Sequence, residues 1–323
     1  MALPQPFMRY LRHLFCMAAV AASAVAAQAQ TTRIVVPFNA GGATDAYVRL
    51  IATEMSKLGI QTIVENKPGA SGMIAADFVA RSKNDGLTLF MGSNSTLANN
   101  VVLFEKMTYD PFKDFTAVSH IGYQPSILIA RANLPYKTLR EMVAYAKANP
   151  GKINRASVGA GNITNLAGVM LDRAAGISTT HIPYTGDPLA IQSLLSDQVD
   201  VYVGSLTLAL PHTQAGKLRV LGVFDQKRLE QLPDVPTLKE SGWDLDAYAW
   251  YCLVAPAGTP PATVDKLNHA VNQILQNKEF IERARVLGVE RRGGTPQDLT
   301  RFIKAEYDRW APLITDLGLA RKF

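Results

Sequence analysis

The stretch from Thr32 to Leu58 is the tightest constraint on what this chain can fold into. Arg33 to Val36 is a short apolar, β-branched segment and Asn39 to Gly42 a turn, while Tyr47, Leu50, Ile51, Met55 and Leu58 recur at helical spacing. The order is strand, glycine turn, helix. Glycine has no Cβ, so the backbone of such a turn can come close to a ligand, and the unpaired N–H groups of the helix start face whatever sits there. That end of a helix attracts anions.

The unit recurs. Leu87 to Met91 runs into Gly92-Ser93-Asn94-Ser95-Thr96, Asn154 to Val158 into Gly159-Ala160-Gly161-Asn162, and Thr180 to Pro183 into Tyr184-Thr185-Gly186-Asp187. Further strands are expected at Thr62–Glu65, Val118–Gly122, Asp200–Val203 and Leu218–Val223, and helices at Ile74–Ala80, Thr138–Ala148, Pro188–Leu195 and Thr207–Ala215. Strands alternating with helices point to α/β architecture with parallel sheets, in which all such turns lie on one edge. Ser126–Ala130 and Trp250–Ala255 bracket a self-contained αβ block and read as crossings between two lobes. After them, Val264, Leu267, Val271, Ile274 and Leu275 make one apolar helix face, and Leu299, Phe302, Ile303, Trp310, Leu313, Ile314 and Leu317 another. Thr295-Pro296-Gln297-Asp298 caps the last helix, within which Pro312 is a kink point. A ligand would sit between the lobes, at the carboxyl ends of the strands.

The first 29 residues read as a cleavable secretory signal. Arg9 and Arg12 precede an uncharged apolar run from Leu14 to Ala27, which closes on the small-x-small pattern Ala27-Gln28-Ala29. Cys16 lies too early in that run, behind Phe15, for a lipoprotein signal. About 290 residues remain, enough for two lobes of ordinary size. Removing the two arginines lowers the formal charge from +6 to +4, and the other basic residues are scattered among acids. A nucleic-acid binder would gather them in a stripe. Only Cys252 lies outside the signal, so no intramolecular disulfide is expected.

Catalytic chemistry finds little support. His13, His120, His181, His212 and His269 are isolated, without the i, i+4 pairing of a zinc site. Gly69-Ala70-Ser71-Gly72 lacks the final glycine of a nucleophile elbow, and Cys252 sits in an apolar strand that suits an inert thiol. Gly159-Ala160-Gly161 carries half of a dinucleotide fingerprint, but Thr164 replaces the third glycine and no acid closes the next strand. No metal or cofactor is expected. None of the four glycine turns contains lysine or arginine, so an anion there would be met by oriented N–H groups, hydroxyls, amides and water. Asp45, just inside the first helix, suits either capping or ligand contact.

Specific strings carry a family resemblance over about Arg33 to the last helix. They are Val36-Pro37-Phe38-Asn39-Ala40-Gly41-Gly42 with Asp45, Glu65-Asn66-Lys67-Pro68-Gly69-Ala70 with Gly72, Asp85-Gly86-Leu87-Thr88-Leu89, Tyr109-Asp110-Pro111, Asn149-Pro150-Gly151-Lys152, Leu232-Pro233-Asp234-Val235-Pro236-Thr237, and Ala255-Pro256-Ala257-Gly258-Thr259-Pro260-Pro261. The chain resembles the Bug-type extracytoplasmic solute receptors of tripartite tricarboxylate transporters. That resemblance implies a two-lobed periplasmic binding-protein fold of type II-like form. Residues 30–126 and 252–323 would make lobe 1 and residues 127–251 lobe 2, with a hinge of crossing strands. It implies a monomer, not an enzyme, that takes a small carboxylate (an amino acid, a dicarboxylate or an aromatic acid) to membrane transporter subunits. The contacts it implies are Phe38, Ala40, Gly41, Gly42 and Asp45 on one side and Val158, Gly159, Gly161, Asn162, Thr164 and Asn165 on the other. Ser93, Asn94, Ser95, Tyr184, Thr185, Gly186, Asp187, Gly204 and Ser205 would complete the pocket.

Two positions depart from the family pattern. Thr185 stands where many members have lysine and Asn165 where many have histidine, which implies a neutral far end to the pocket and a monocarboxylate or an uncharged ligand tail over a polyanion. Two rivals come from other classes: an exported α/β hydrolase or lyase using the same cleft, for which only Asp45 and Asp187 are available, and a sensor feeding a membrane signalling partner.

Overall fold

The computed structural model describes residues 31–322. The signal segment expected at 1–29 lies outside them. Three parallel strands open the fold: β1 (Thr32–Val36), β2 (Thr62–Asn66) and β3 (Thr88–Ser93), with β1 between the other two. A second parallel trio follows, β5 (Asn154–Ser157), β6 (Thr180–Pro183) and β7 (Val201–Gly204), centred on β5. Each trio is extended by antiparallel strands. β9 (Tyr248–Pro256) pairs with β3, and β8 (Leu218–Phe224) with the long β4 (Phe115–Arg131). The main path runs β2-β1-β3-β9-β4-β7-β5-β6. It is an α/β fold built on a curled mixed sheet.

The two short strands expected at Val118–Gly122 and Ser126–Ala130 are one 17-residue strand. Its Phe115–Pro125 stretch pairs with β9, and from Ser126 onward it pairs with β8 and β7. Proline cannot donate to a ladder and is tolerated where pairing is interrupted. Pro125 falls where β4 changes partners, so the interruption that the sequence suggests is a handover between two halves of one strand. The return crossing is at Ala247, whose N–H donates to Phe224 O and whose carbonyl accepts from Ser126 N–H. β9 itself, expected as a crossing, lies wholly against β3 and the first part of β4.

Both faces of each half are covered, and the central strands β1, β3 and β7 are buried nearly throughout. Ile34, Val36, Leu89 and Met91 point to one face, against α1 (Ala43–Lys57), α8 (Pro261–Gln276) and α9 (Lys278–Val286), while Val35 and Phe90 point to the other, against α2 (Met73–Ala80). The second half repeats this. Leu128 and Ala130 meet α4 (Leu139–Ala148) and α5 (Ile163–Ala175), and Ile127 and Ile129 meet α6 (Asp187–Leu195) and α7 (Leu206–Gln214).

The last helix, α10 (Pro296–Asp316), starts on a capping box between Thr295 and Asp298 and contains Pro312. It does more than finish the first half. Leu299 and Ile303 pack in that half's core, whereas Trp310 and Ile314 belong to the second half's. Contacts are dense enough that the chain from Thr32 onward forms one compact unit.

His120 illustrates the cost of a buried ring. It packs 4.5 Å from Phe302 and 6.5 Å from Trp250, centroid to centroid. Burial, and secondarily Arg292, push its pKa down to about 4. The unfolded ring titrates near 6.5 and so binds protons that the folded one refuses between those values. Stability is therefore full above about pH 6.5 and falls as pH drops toward 4, by at most about 3 kcal/mol from this residue. A His120→Gln variant should lose that part of the acid sensitivity of the urea midpoint. An unchanged pH profile would remove His120 from the account.

Candidate ligand-binding cleft

Four helix starts converge between the two halves. Those of α1 (at Gly42), α6 (at Gly186) and α7 (at Ser205) have no side-chain cap; at α5 the Asn162 side chain accepts from Thr164 N–H. The local reason is glycine and small-residue chemistry at the strand exits. Gly41 adopts φ +85°, a left-handed conformation that glycine takes without penalty, and turns the chain from β1 into α1. An enclosed helix end without a cap leaves N–H groups that need a partner. Each such end favours an anion by about 0.3–1 kcal/mol, more when partly buried.

The cleft they surround holds ≈ 620 Å³ of non-atom space, open solvent included. Little of that space is wide enough for a free water molecule, so the cleft is a narrow slot. Phe38, Gly42, Asp45, Ser93, Asn94, Ser95, Val158, Asn162, Thr164, Gly186, Asp187, Gly204 and Ser205 line it. Among the described residues no lysine or arginine does. The buried Oγ atoms of Ser93 and Ser205 have no hydrogen-bond partner among the described residues. A buried hydroxyl left unpaired costs about 1–3 kcal/mol. Ser205→Ala should therefore leave the thermal midpoint unchanged or slightly higher, and a fall worth more than 1 kcal/mol in a melt would show that the hydroxyl is paired within the protein.

Several side chains at the cleft are engaged elsewhere. Asp45 accepts from Gly41 N–H (3.0 Å), Arg49 Nε (2.9 Å) and Asn66 Nδ2 (2.9 Å). Burial opposes its charge, but these partners outweigh it and hold the carboxyl below its ordinary range. Its work is to brace the Gly41 turn. Asn94 braces too, accepting from Trp250 N–H and donating to Tyr248 O. Thr164 Oγ1 accepts from Val158 N–H.

Seven expected contact residues do not line the cleft. Ala40 and Gly41 are exposed at its rim. Tyr184 packs in the second half's core, and exposed Thr185 accepts from Asn39 Nδ2 across the gap (2.9 Å). Asn165 is buried and turned inward, accepting from Arg155 (3.2 Å) and donating to Ala160 O (2.9 Å). The neutral far end argued from Thr185 and Asn165 thus cannot rest on those two side chains. Gly159 and Gly161 serve the approach of the halves: a Cβ at Gly159 would sit 3.2 Å from Ser71 Oγ, and one at Gly161 2.4 Å from Asn100 Oδ1.

Eight lining residues were not anticipated: Asn39, Thr44, Gln124, Pro125, Ser126, Ile163, Ala249 and Tyr251. Gln124 to Ser126 and Ala249 to Tyr251 form the floor. In sequence they are parts of apolar runs, and only the antiparallel pairing of Gln124 with Ala249 and of Gly122 with Tyr251 brings them together. Gln124 is fixed there, donating to Leu287 O (2.8 Å) and Thr207 Oγ1 (3.2 Å) and accepting from Tyr251 (3.2 Å). Tyr251 and Cys252 are fully enclosed, and burial pushes both their pKa values up. Among the described residues no group of three or more His, Cys, Asp or Glu could hold a metal ion, and no helix is long and apolar enough to cross a membrane.

Two α/β halves joined by crossing strands, with uncapped helix starts facing one narrow cleft, define a periplasmic binding protein. The family model for the tripartite tricarboxylate transporter family receptor (TctC) matches residues 47–319, and the chain belongs to that family. It is 32% identical to Rpa4515 of R. palustris, solved with adipate (TM-score 0.87; 90% of this chain, 98% of that one). It is 33% identical to the periplasmic binding protein BugD (TM-score 0.85; 90% and 98%). It is 35% identical to MatC of Rhodopseudomonas palustris, solved with bound malate (TM-score 0.83; 88% and 98%). The family and these neighbours are solute-binding receptors, not enzymes, and the family is periplasmic.

Proposed function

We propose that this receptor captures a small carboxylate between two lobes and passes it, chemically intact, to the membrane subunits of a tripartite tricarboxylate-type transporter. One observation carries the ligand class: three uncapped helix starts and two unpaired buried hydroxyls face a single narrow cleft that has no basic side chain. Donors without full charges suit an anion that must later be released. Adipate in Rpa4515 and malate in MatC, both small carboxylates, support the same reading.

The lobes in this reading are residues 30–126 with 252–323, and 127–251. Their hinge lies where β4 changes partners at Pro125 and where the chain returns at Ala247. Closure is then a rotation about two crossing segments, stabilised by ligand only as far as ligand prefers the closed form. Export uses the cleavable segment 1–29, and the receptor acts as a monomer. The contact set is that of the cleft lining, with Asp45 and Asn94 as braces.

The test is calorimetric titration of purified protein with C4–C6 dicarboxylates, aliphatic and aromatic monoacids and amino acids, followed by NMR of the recovered ligand. At least one acid should bind and return unchanged. A hundredfold excess over Kd should add about 2.7 kcal/mol to stability, visible as a raised midpoint. Turnover of a bound acid would favour an exported hydrolase or lyase, and absence of binding by every acid would end the proposal.

A further inference from the structure

The cleft contains two carboxyl groups, and their surroundings differ. Asp45 is saturated by Arg49, Asn66 and Gly41. Asp187, the first residue of α6, has one protein donor among the described residues, the buried hydroxyl of Tyr202, which reaches Oδ1. Oδ2 faces the other half, 3.4 Å from where a Gly42 Cβ would stand, and neither helix start donates to it. The placement is built in. A Cβ at Gly204 would fall 2.1 Å from a ring carbon of Tyr202, so Gly204 makes room for the phenol that holds Asp187 in place.

We infer that Asp187 determines specificity by pairing with a protonated amine, so that the solute is an acid bearing both a carboxylate and an ammonium group. This rests on the receptor reading and deepens it. A carboxyl with a free oxygen in a cleft that no described lysine or arginine lines has no countercharge among the described residues. A second carboxylate on the ligand would meet it with like charge, and an alkyl end would leave Oδ2 unpaired. An ammonium supplies both the donor and the charge, in the stronger class of hydrogen bond. The helix starts and the free hydroxyls of Ser93 and Ser205 remain for the carboxylate end. The groups facing Asp187 are Tyr202 beneath it, Tyr251 on the floor and Asp45 on α1, none of them a cation.

The test compares three acids of matched length, 4-aminobutyrate, butyrate and succinate, with glycine, alanine and aspartate as α-amino probes, on native protein, Asp187→Asn and Tyr202→Phe. Native protein should bind at least one amino acid tenfold or more tighter than its amine-free counterpart. Asp187→Asn should abolish the preference. Tyr202→Phe should weaken the preference, which keeps the test open if the first variant folds poorly. Tighter binding of the plain acid or the dicarboxylate, or a preference that survives Asp187→Asn, overturns the inference and leaves the receptor reading standing. Failure of every acid to bind overturns both.

Discussion

Glu306→Leu should lower stability by at least about 3 kcal/mol, the largest single-site loss expected outside the apolar core. Glu306 is 5% exposed on α10 and accepts from Trp250 Nε1 (2.8 Å), Trp310 Nε1 (3.3 Å) and Tyr248 OH (3.2 Å). Leucine fills the space but leaves these donors without an acceptor, at about 1–3 kcal/mol for each one that stays buried. For a protein of this size the thermal midpoint should drop by about 6–10 °C. Glu306→Gln keeps an acceptor oxygen and should cost clearly less. Equal losses for the two variants would mean that packing, and not the hydrogen bonds, sets the effect. The position matters because Trp250 lies on β9, in the first half, whereas Trp310 belongs to the core of the second. One carboxylate thus joins the two halves on the side where they are covalently linked.

Gly161→Val should hold the halves apart and weaken ligand binding at least tenfold, about 1.4 kcal/mol, with little change in thermal midpoint. Gly161 opens the loop into α5, and any Cβ there would fall 2.4 Å from Asn100 Oδ1 and 3.1 Å from Leu103 Cδ1. Asn100 cannot easily yield, because its Nδ2 donates to Ser71 O at 3.0 Å. The bonds from Asn99 Nδ2 to Gly161 O (3.3 Å) and from Asn162 Nδ2 to Ser95 Oγ (3.3 Å) span the same gap and should be lost with it. Titration with the tightest acid found for native protein gives the affinity, and small-angle scattering the radius of gyration. A variant as compact as native protein, with the same Kd, would contradict this account of closure.

The glycines carry a wider lesson about what a sequence reveals. Gly42, Gly159, Gly161 and Gly186 were identifiable as close-approach positions because glycine after a strand is a local signal. What approaches them was not. At Gly159 and Gly161 it is the opposite half of the protein, and at Gly42 it is Asp187. Asn165 and Thr185 mislead in the same way. Their positions put them near the cleft, but Arg155 and Asn39, each distant in sequence or facing from another element, claim their side chains. Asp187 was expected at the pocket from its place at a helix start, but nothing near it in sequence showed that Tyr202, with the space left by Gly204 on a neighbouring strand, holds it.

Local chemistry was sufficient for the strand–turn–helix units, the capped start of α10 at Thr295 and the absence of basic residues from the turns, since each depends on neighbours within a few positions along the chain. The tertiary structure alone decided that β4 is continuous through Pro125, that α10 joins both cores, and that Gln124 and Tyr251 form the cleft floor. Those outcomes depend on which strand lies beside which. Pairing between segments more than a hundred residues apart is set by the summed burial of whole sheet faces, and no short window of sequence contains that sum.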